Sequence, residues 1–136
     1  MEIYTLDRDI PICCLKADSF PLGILPAHEK LHSLIPYISE RNFFGISHPD
    51  RNGSIIYKAA AEEIKSGEAA GLNLETMTIK QGHYLSLFIS NFHEDVQKIG
   101  KAFRQMIADP RIDPGGFCVE WYLNEKDVRC MVKISE

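Results

Sequence analysis

A chain of 136 residues, 45% apolar and 25% charged, can fill one core and is too short for two. Its net charge of −4, with no run of Lys or Arg, excludes a phosphate-tracking surface and argues against direct nucleic-acid binding. No stretch has the length and apolarity of an export signal or a membrane span, so the expected location is cytoplasmic, with no membrane partner.

In chain order, residues 2–6 and 10–17 are rich in Ile, Tyr, Thr, Cys and Leu and predict strands, with Pro11 at an edge or bend. Leu31, Leu34, Ile35 and Ile38 keep helical spacing and predict a helix over 26–41, which Pro36 must kink or divide. Residues 43–48 and 54–62 pair across Asp50-Arg51-Asn52-Gly53, a tight-turn sequence. Small and polar residues at 65–73 mark a link. Strands follow at 74–79 and 83–90, broken by Gln81-Gly82. Asn91 and Glu94 then cap a helix at 93–108 that presents Val96, Ile99, Phe103, Met106 and Ile107 until Asp109-Pro110 stops it. The turn Asp113-Pro114-Gly115-Gly116 leads into a last hairpin, 117–123 with 128–134. Cys13, Cys14, Cys118 and Cys130 all fall in strands without a Cys-x-x-Cys pair, which predicts reduced core or pocket thiols.

Residues 84–134 replay residues 13–61. Adding 65 carries His28-Glu29 onto His93-Glu94, Leu31 onto Val96, Leu34 onto Ile99 and Ile38 onto Phe103. In the hairpins Phe43 falls on Phe117 and His48 on Tyr122. One strand-helix-strand-strand unit leaves a sheet face bare, so two must pack together. The expected fold is α+β: a single domain over 1–136 made of two pseudo-repeats, about 1–64 and 72–136. They form a curved antiparallel sheet with two main helices on its outer face and a central cleft. A ligand site belongs at the seam.

Within the last hairpin, alternation gives Phe117, Val119, Trp121 and Leu123 to one face, expected to pack against the helices. Cys118, Glu120 and Tyr122 share the other. Glu120 is the odd residue, a mid-strand carboxylate between a valine and the only tryptophan. The strand at 84–90 divides likewise into Leu85, Leu87 and Ile89 against Tyr84, Ser86 and Phe88. If both polar-bearing faces look into the seam, Tyr84, Phe88 and Tyr122 ring Glu120, with Ser86 and Cys118 beside them. Aromatic faces around a desolvated carboxylate suit a flat or greasy cation, and desolvation raises the acid's pKa. The bland alternative is a solvated sheet face on which Glu120 is one more surface acid.

Other signals are discounted. His28-Glu29-Lys30-Leu31-His32 satisfies the His-Glu-x-x-His zinc pattern, but Lys30 sits where an apolar residue is usual, no third ligand is indicated and the second half lacks its second histidine. No metal and no cofactor are expected. His48 and His83 read as surface or structural groups, and Ser86 has no base in its strand.

The tandem units, Gly82-His83-Tyr84 opening the second, and Glu120-Trp121-Tyr122 in a hairpin ending Val132-Lys133-Ile134 resemble the GyrI-like effector-binding domain. That family also forms the C-terminal sensor of AraC-type and MerR-type multidrug-responsive regulators. The resemblance implies a groove between the units for hydrophobic, aromatic or cationic small molecules, with Glu120 as the acidic contact and Tyr84 and Tyr122 as aromatic ones. This chain departs from the family in having Phe103 and Met106 where a tryptophan is common, and in Pro36. No DNA-binding motif precedes the strands, so a stand-alone binding domain is expected, monomeric or homodimeric. Some stand-alone relatives resemble hydrolases of cyclopropane-bearing toxins; here Glu120 would position or deprotonate water and Tyr84 would polarise the leaving oxygen, without metal. A further branch inhibits DNA gyrase, which implies a protein-interaction role as a third reading.

Overall fold

Alternating side chains and turn residues divide the chain into eight strands and two main helices, seen here in a computed structural model that describes residues 1–35, 38 and 40–135. The elements are β1 (Glu2–Leu6), β2 (Ile10–Lys16), α1 (Ile24–Leu34), β3 (Phe43–Pro49), β4 (Ile55–Glu62), a single turn α2 (Glu68–Gly71), β5 (Glu75–Ile79), β6 (Gly82–Ile89), α3 (Gln97–Ile107), β7 (Cys118–Tyr122) and β8 (Val128–Lys133). A 3₁₀ turn, Phe92–Glu94, precedes α3.

All eight strands join one antiparallel sheet in the order β1-β6-β8-β7-β3-β4-β2-β5. The order mirrors itself about the β3–β7 pair, and β2-α1-β3-β4 and β6-α3-β7-β8 lie on either side of that line. The strand preceding each unit is lent to the other one: β1 pairs with β6, and β5 pairs with β2. In a flat sheet the two edge strands would stand about 34 Å apart. Instead Leu6 of β1 and Ile79 of β5 share one buried cluster with Ile12, Phe44, Ile46, Val119 and Met131. The sheet therefore curls into a half-barrel with a filled interior.

Both helices lie on the outer face. Ala27 and Leu31 of α1 pack on Phe43, Ala59 and Ala61, while Ala102, Phe103 and Met106 of α3 pack on Leu85, Val128 and Cys130. The expected helix at 26–41 begins earlier, at Ile24, and ends at Leu34. Ile35 is extended at φ −122° and ψ 104°, the conformation imposed on a residue that precedes proline. Pro36 itself lies outside the described residues. The expected helix at 93–108 is divided: Asn91 takes a left-handed φ of 51° without capping through its side chain, and α3 starts only at Gln97. Val96 and Ile107 are 60% and 55% exposed, so the buried stripe is narrower than the spacing suggested. His28-Glu29 thus sits inside α1, whereas His93-Glu94 sits before α3.

The link at 65–73 is ordered. Arg41, whose side chain is 8% exposed, makes two 2.9 Å bonds to Glu68 and a third to the Glu62 carbonyl, pinning α2. At the first hairpin tip the Asp50 carboxylate accepts from the Asn52 and Ser54 amides, and Gly53 supplies the left-handed φ of 84°.

The assignment of faces needs correction. Phe117, Val119 and Trp121 pack into the interior of the curl, and the helices lie on the side of the sheet that carries Cys118, Glu120 and Tyr122. Alternation sorts side chains into two sets without saying which set meets a helix, and in a curled sheet both faces are dry. Phe43 and Phe117, aligned as equivalents, point to opposite faces. No helix among the described residues is long and apolar enough to cross a membrane.

Leu31 and Met106 are each fully buried, one in each outer core. Leu31→Ala and Met106→Ala should each cost about 2–5 kcal/mol in urea unfolding, and neither should alter the unfolding of the other's site disproportionately, so the losses should add.

Candidate functional site

At the centre of the sheet Gly45 of β3 faces Glu120 of β7, and Glu120 faces Cys130 of β8. On the outer side α1 lies over β4 and β2, and α3 over β8 and β6. The β3–β7 pair is left as the floor of a groove between the helices, where Ser47, Cys118, Glu120 and Tyr122 stay partly accessible. Glu120 stands mid-floor.

Its carboxyl group is densely surrounded by phenols. The Tyr122 hydroxyl donates to Glu120 Oε1, and the Tyr57 hydroxyl lies 3.4 Å from the same oxygen and 3.3 Å from the Tyr122 hydroxyl. Tyr57 comes from β4, where it is 1% exposed and the alternate positions are Ala59 and Ala61. Its hydroxyl reaches the acid because Gly45 has no side chain: a Cβ there would fall 2.1 Å from the Tyr57 hydroxyl oxygen and 3.1 Å from Glu120 Oε1. From α1, His28 Nε2 lies 2.8 Å from that hydroxyl. The imidazole also meets both phenol rings edge-on, 5.7 Å from Tyr57 and 5.5 Å from Tyr122. Phe20 flanks Tyr57 at 6.3 Å, and Phe92 flanks Tyr122 at 5.7 Å. The acid therefore lies among five aromatic rings.

Burial raises the pKa of Glu120, and the hydrogen bonds from Tyr122 and Tyr57 oppose the rise. None of the ion pairs formed among the described residues includes Glu120. Burial also lowers His28 to about 4, with His32 adding to the effect, so its imidazole is neutral over the ordinary range. Tyr57 and Tyr122 are both pushed up, first by burial and then by the acid's charge. Burial lifts Cys118 to about 11 and Cys130 to about 12, which makes them thiols and not nucleophiles at neutral pH.

Of the residues expected around Glu120, Tyr122 touches it and Cys118 is two positions along the same face. Tyr84, Ser86 and Phe88 lie across the sheet. Tyr84 is buried in the interior and donates to the Lys80 carbonyl, Ser86 bonds Arg129 at 3.3 Å, and Phe88 is 46% exposed. Arg129 also stacks on Tyr4 at 4.6 Å and pairs with Glu2. Ser86 and Phe88 border open hollows of about 310 and 330 Å³ beside β6, neither of which includes Glu120. The two histidines of the zinc-like pattern part company: His28 turns to Tyr57, and His32 packs on Phe43 at 4.6 Å. Among the described residues no three His, Cys, Asp or Glu side chains are grouped to hold a metal.

Several solved structures share this fold. An integron cassette protein from the mobile metagenome of Vibrio cholerae superposes with a TM-score of 0.72 at 11% identity, over 98% of this chain and 95% of its own. A protein bound to tetraphenylphosphonium gives 0.64 at 11% identity, over 97% and 93%. A hydrolase from Listeria innocua gives 0.59 at 9% identity, over 98% and 91%. At that identity the likeness is one of fold. No protein-family model and no curated protein matches the sequence.

Two outcomes follow from the packing and protonation of the groove. Gly45→Ala should destabilise the protein by about 1–3 kcal/mol, and combining it with Tyr57→Leu should cost less than the two separate losses summed. Glu120, raised above its ordinary 4.5, holds a proton in the folded chain that the unfolded chain gives up, so its contribution declines as pH climbs from 4.5 through its folded pKa. Glu120→Gln should therefore gain stability over the unaltered protein as pH rises, measured by urea midpoints at pH 5 and 8. His28 works in the opposite direction, favouring the folded state above 6.5 and losing that effect as pH falls toward about 4.

Proposed function

We propose that this chain is a binding domain for hydrophobic, aromatic or cationic small molecules, related to the GyrI-like effector-binding domains, and that the groove around Glu120 is its ligand site. The observation that carries this reading is a partly buried carboxylate, in no ion pair among the described residues, that meets Tyr57 and Tyr122, with His28, Phe20 and Phe92 packed against those two rings. Ring faces attract a delocalised cation, and the acid supplies a matching charge that water screens little. The fold neighbour bound to tetraphenylphosphonium supports the same ligand class. Cys118 and Ser47 complete the floor.

A hydrolase of electrophilic aromatic compounds is the second reading, favoured by the contact of Tyr122 with Glu120 and by the Listeria neighbour. In it Glu120 holds or deprotonates a water and Tyr122, not Tyr84, donates to the leaving oxygen. The chemistry requires no metal.

Tetraphenylphosphonium should raise the melting temperature of the protein, and Glu120→Gln should weaken its binding by about 1–3 kcal/mol while leaving folding intact. Unchanged affinity would remove Glu120 from the site. Mass analysis of electrophilic aromatic compounds incubated with the protein separates the two readings, since a binding domain returns its ligand unaltered.

A further inference from the structure

The Tyr57 hydroxyl carries one proton and has three neighbours that compete for it. His28 Nε2 is nearest at 2.8 Å; the Tyr122 hydroxyl and Glu120 Oε1 are at 3.3 and 3.4 Å. Which neighbour the phenol serves depends on the tautomer of His28: with Nδ1 protonated, Nε2 accepts from Tyr57 at the shorter distance, and with Nε2 protonated the ring donates to the phenol, which then donates to Glu120 Oε1. In the first of these states the Tyr122 hydroxyl is the near donor to Glu120 Oε1. A carboxylate with a full charge would draw the Tyr57 proton as well, and His28 Nε2 would have to become a donor to the freed phenol oxygen.

The groups that face the acid supply no compensating charge. From β4 comes Tyr57, from β7 Cys118 and Tyr122, from β8 Cys130 and from α1 His28, with His32 behind it. His93, stacked on Phe92 at 4.1 Å, stands one ring further out. Arg129 points to the other face, toward Tyr4.

Resting on the reading of the groove as a cation site, we propose that a lipophilic cation enters by exchange for the proton of Glu120, and that Tyr57 turns its hydroxyl from His28 to the carboxylate as the proton leaves. The O–H bond of the carboxylic acid breaks, the proton passes to solvent buffer, and the cation replaces it as the counter-charge. No other bond changes. His28 acts through Tyr57 and is a positioning residue: by competing for the phenol proton it keeps the carboxyl protonated in the absence of a cation. Burial of the acid works in the same direction. A neutral ligand of similar shape has no such coupling, so pH selects between the two kinds of ligand.

The test combines calorimetry and a direct titration. Tetraphenylphosphonium binding measured below the Glu120 midpoint in phosphate and in Bis-Tris, two buffers of different ionisation enthalpy, should show close to one proton released per cation. Affinity should rise about tenfold per pH unit below the titration midpoint and level off above it, whereas triphenylphosphine oxide, which is neutral, should bind independently of pH. Carboxyl-¹³C NMR of the unaltered protein should show Glu120 titrating above the ordinary carboxylate range, and, at a pH below that midpoint, ionising when tetraphenylphosphonium is added. Tyr57→Phe removes a donor to the carboxylate and should move the midpoint up, while His28→Phe frees the Tyr57 proton for the acid and should move it down, each by about half a pH unit or more. A Glu120 carboxyl that titrates in the ordinary carboxylate range without the cation overturns the exchange. So does pH-independent binding that is nonetheless lost in Glu120→Gln, an outcome that leaves the site reading standing. Absence of saturable binding at any pH overturns both.

Discussion

The facing of Gly45 and Glu120 across the middle of the sheet is the constraint on which the site depends. A carboxyl group cannot be buried cheaply, and here two phenol oxygens reach it. That arrangement needs room at the neighbouring strands, and Gly45, Ala59 and Ala61 provide it by being small. The Tyr57 ring then passes over β3 to the acid. A larger residue at Gly45 would push the phenol off the acid and leave a buried charge with one donor fewer.

The rest of the architecture isolates this arrangement. Curling the sheet fills its concave side with Phe44, Ile46, Val119 and Met131, so the interior of the half-barrel is core. The outer face is covered at both flanks by helices and left uncovered only over β3 and β7. In the groove on the line of symmetry a central-strand side chain keeps contact with solvent while most of its surroundings are dry. Glu120 occupies it.

Much of the fold was legible in the chain because its signals are local. Turn residues and alternation marked all eight strands, and Pro36 explains why α1 stops at Leu34. Period two also picked out Glu120 as a misplaced acid. It did not decide which side of the strand meets the helices, since that depends on how the whole sheet curls, and the wrong choice brought Tyr84, Ser86 and Phe88 into the expected ring. Tyr57 and His28 were missed for a different reason. One comes from β4 and the other from α1, and only the pairing of β3 with both β4 and β7 brings them together. A signal was present: in β4, Tyr57 is followed on its own face by two alanines, the first of them paired with a strand glycine, Gly45.

Because β1 is hydrogen-bonded to β6 and β5 to β2, each half of the molecule holds a strand that the chain supplies from outside it. Clam-like parting of the halves would have to break the continuous β3–β7 ladder and drag both borrowed strands with it. The floor is accordingly a fixed surface, bordered by Phe20, His28 and Phe92, which belong to α1 and to the segments leading into the helices. On the proposed reading of the groove, the selectivity of this chain would then be set at those few rim positions, over a sheet that does not change.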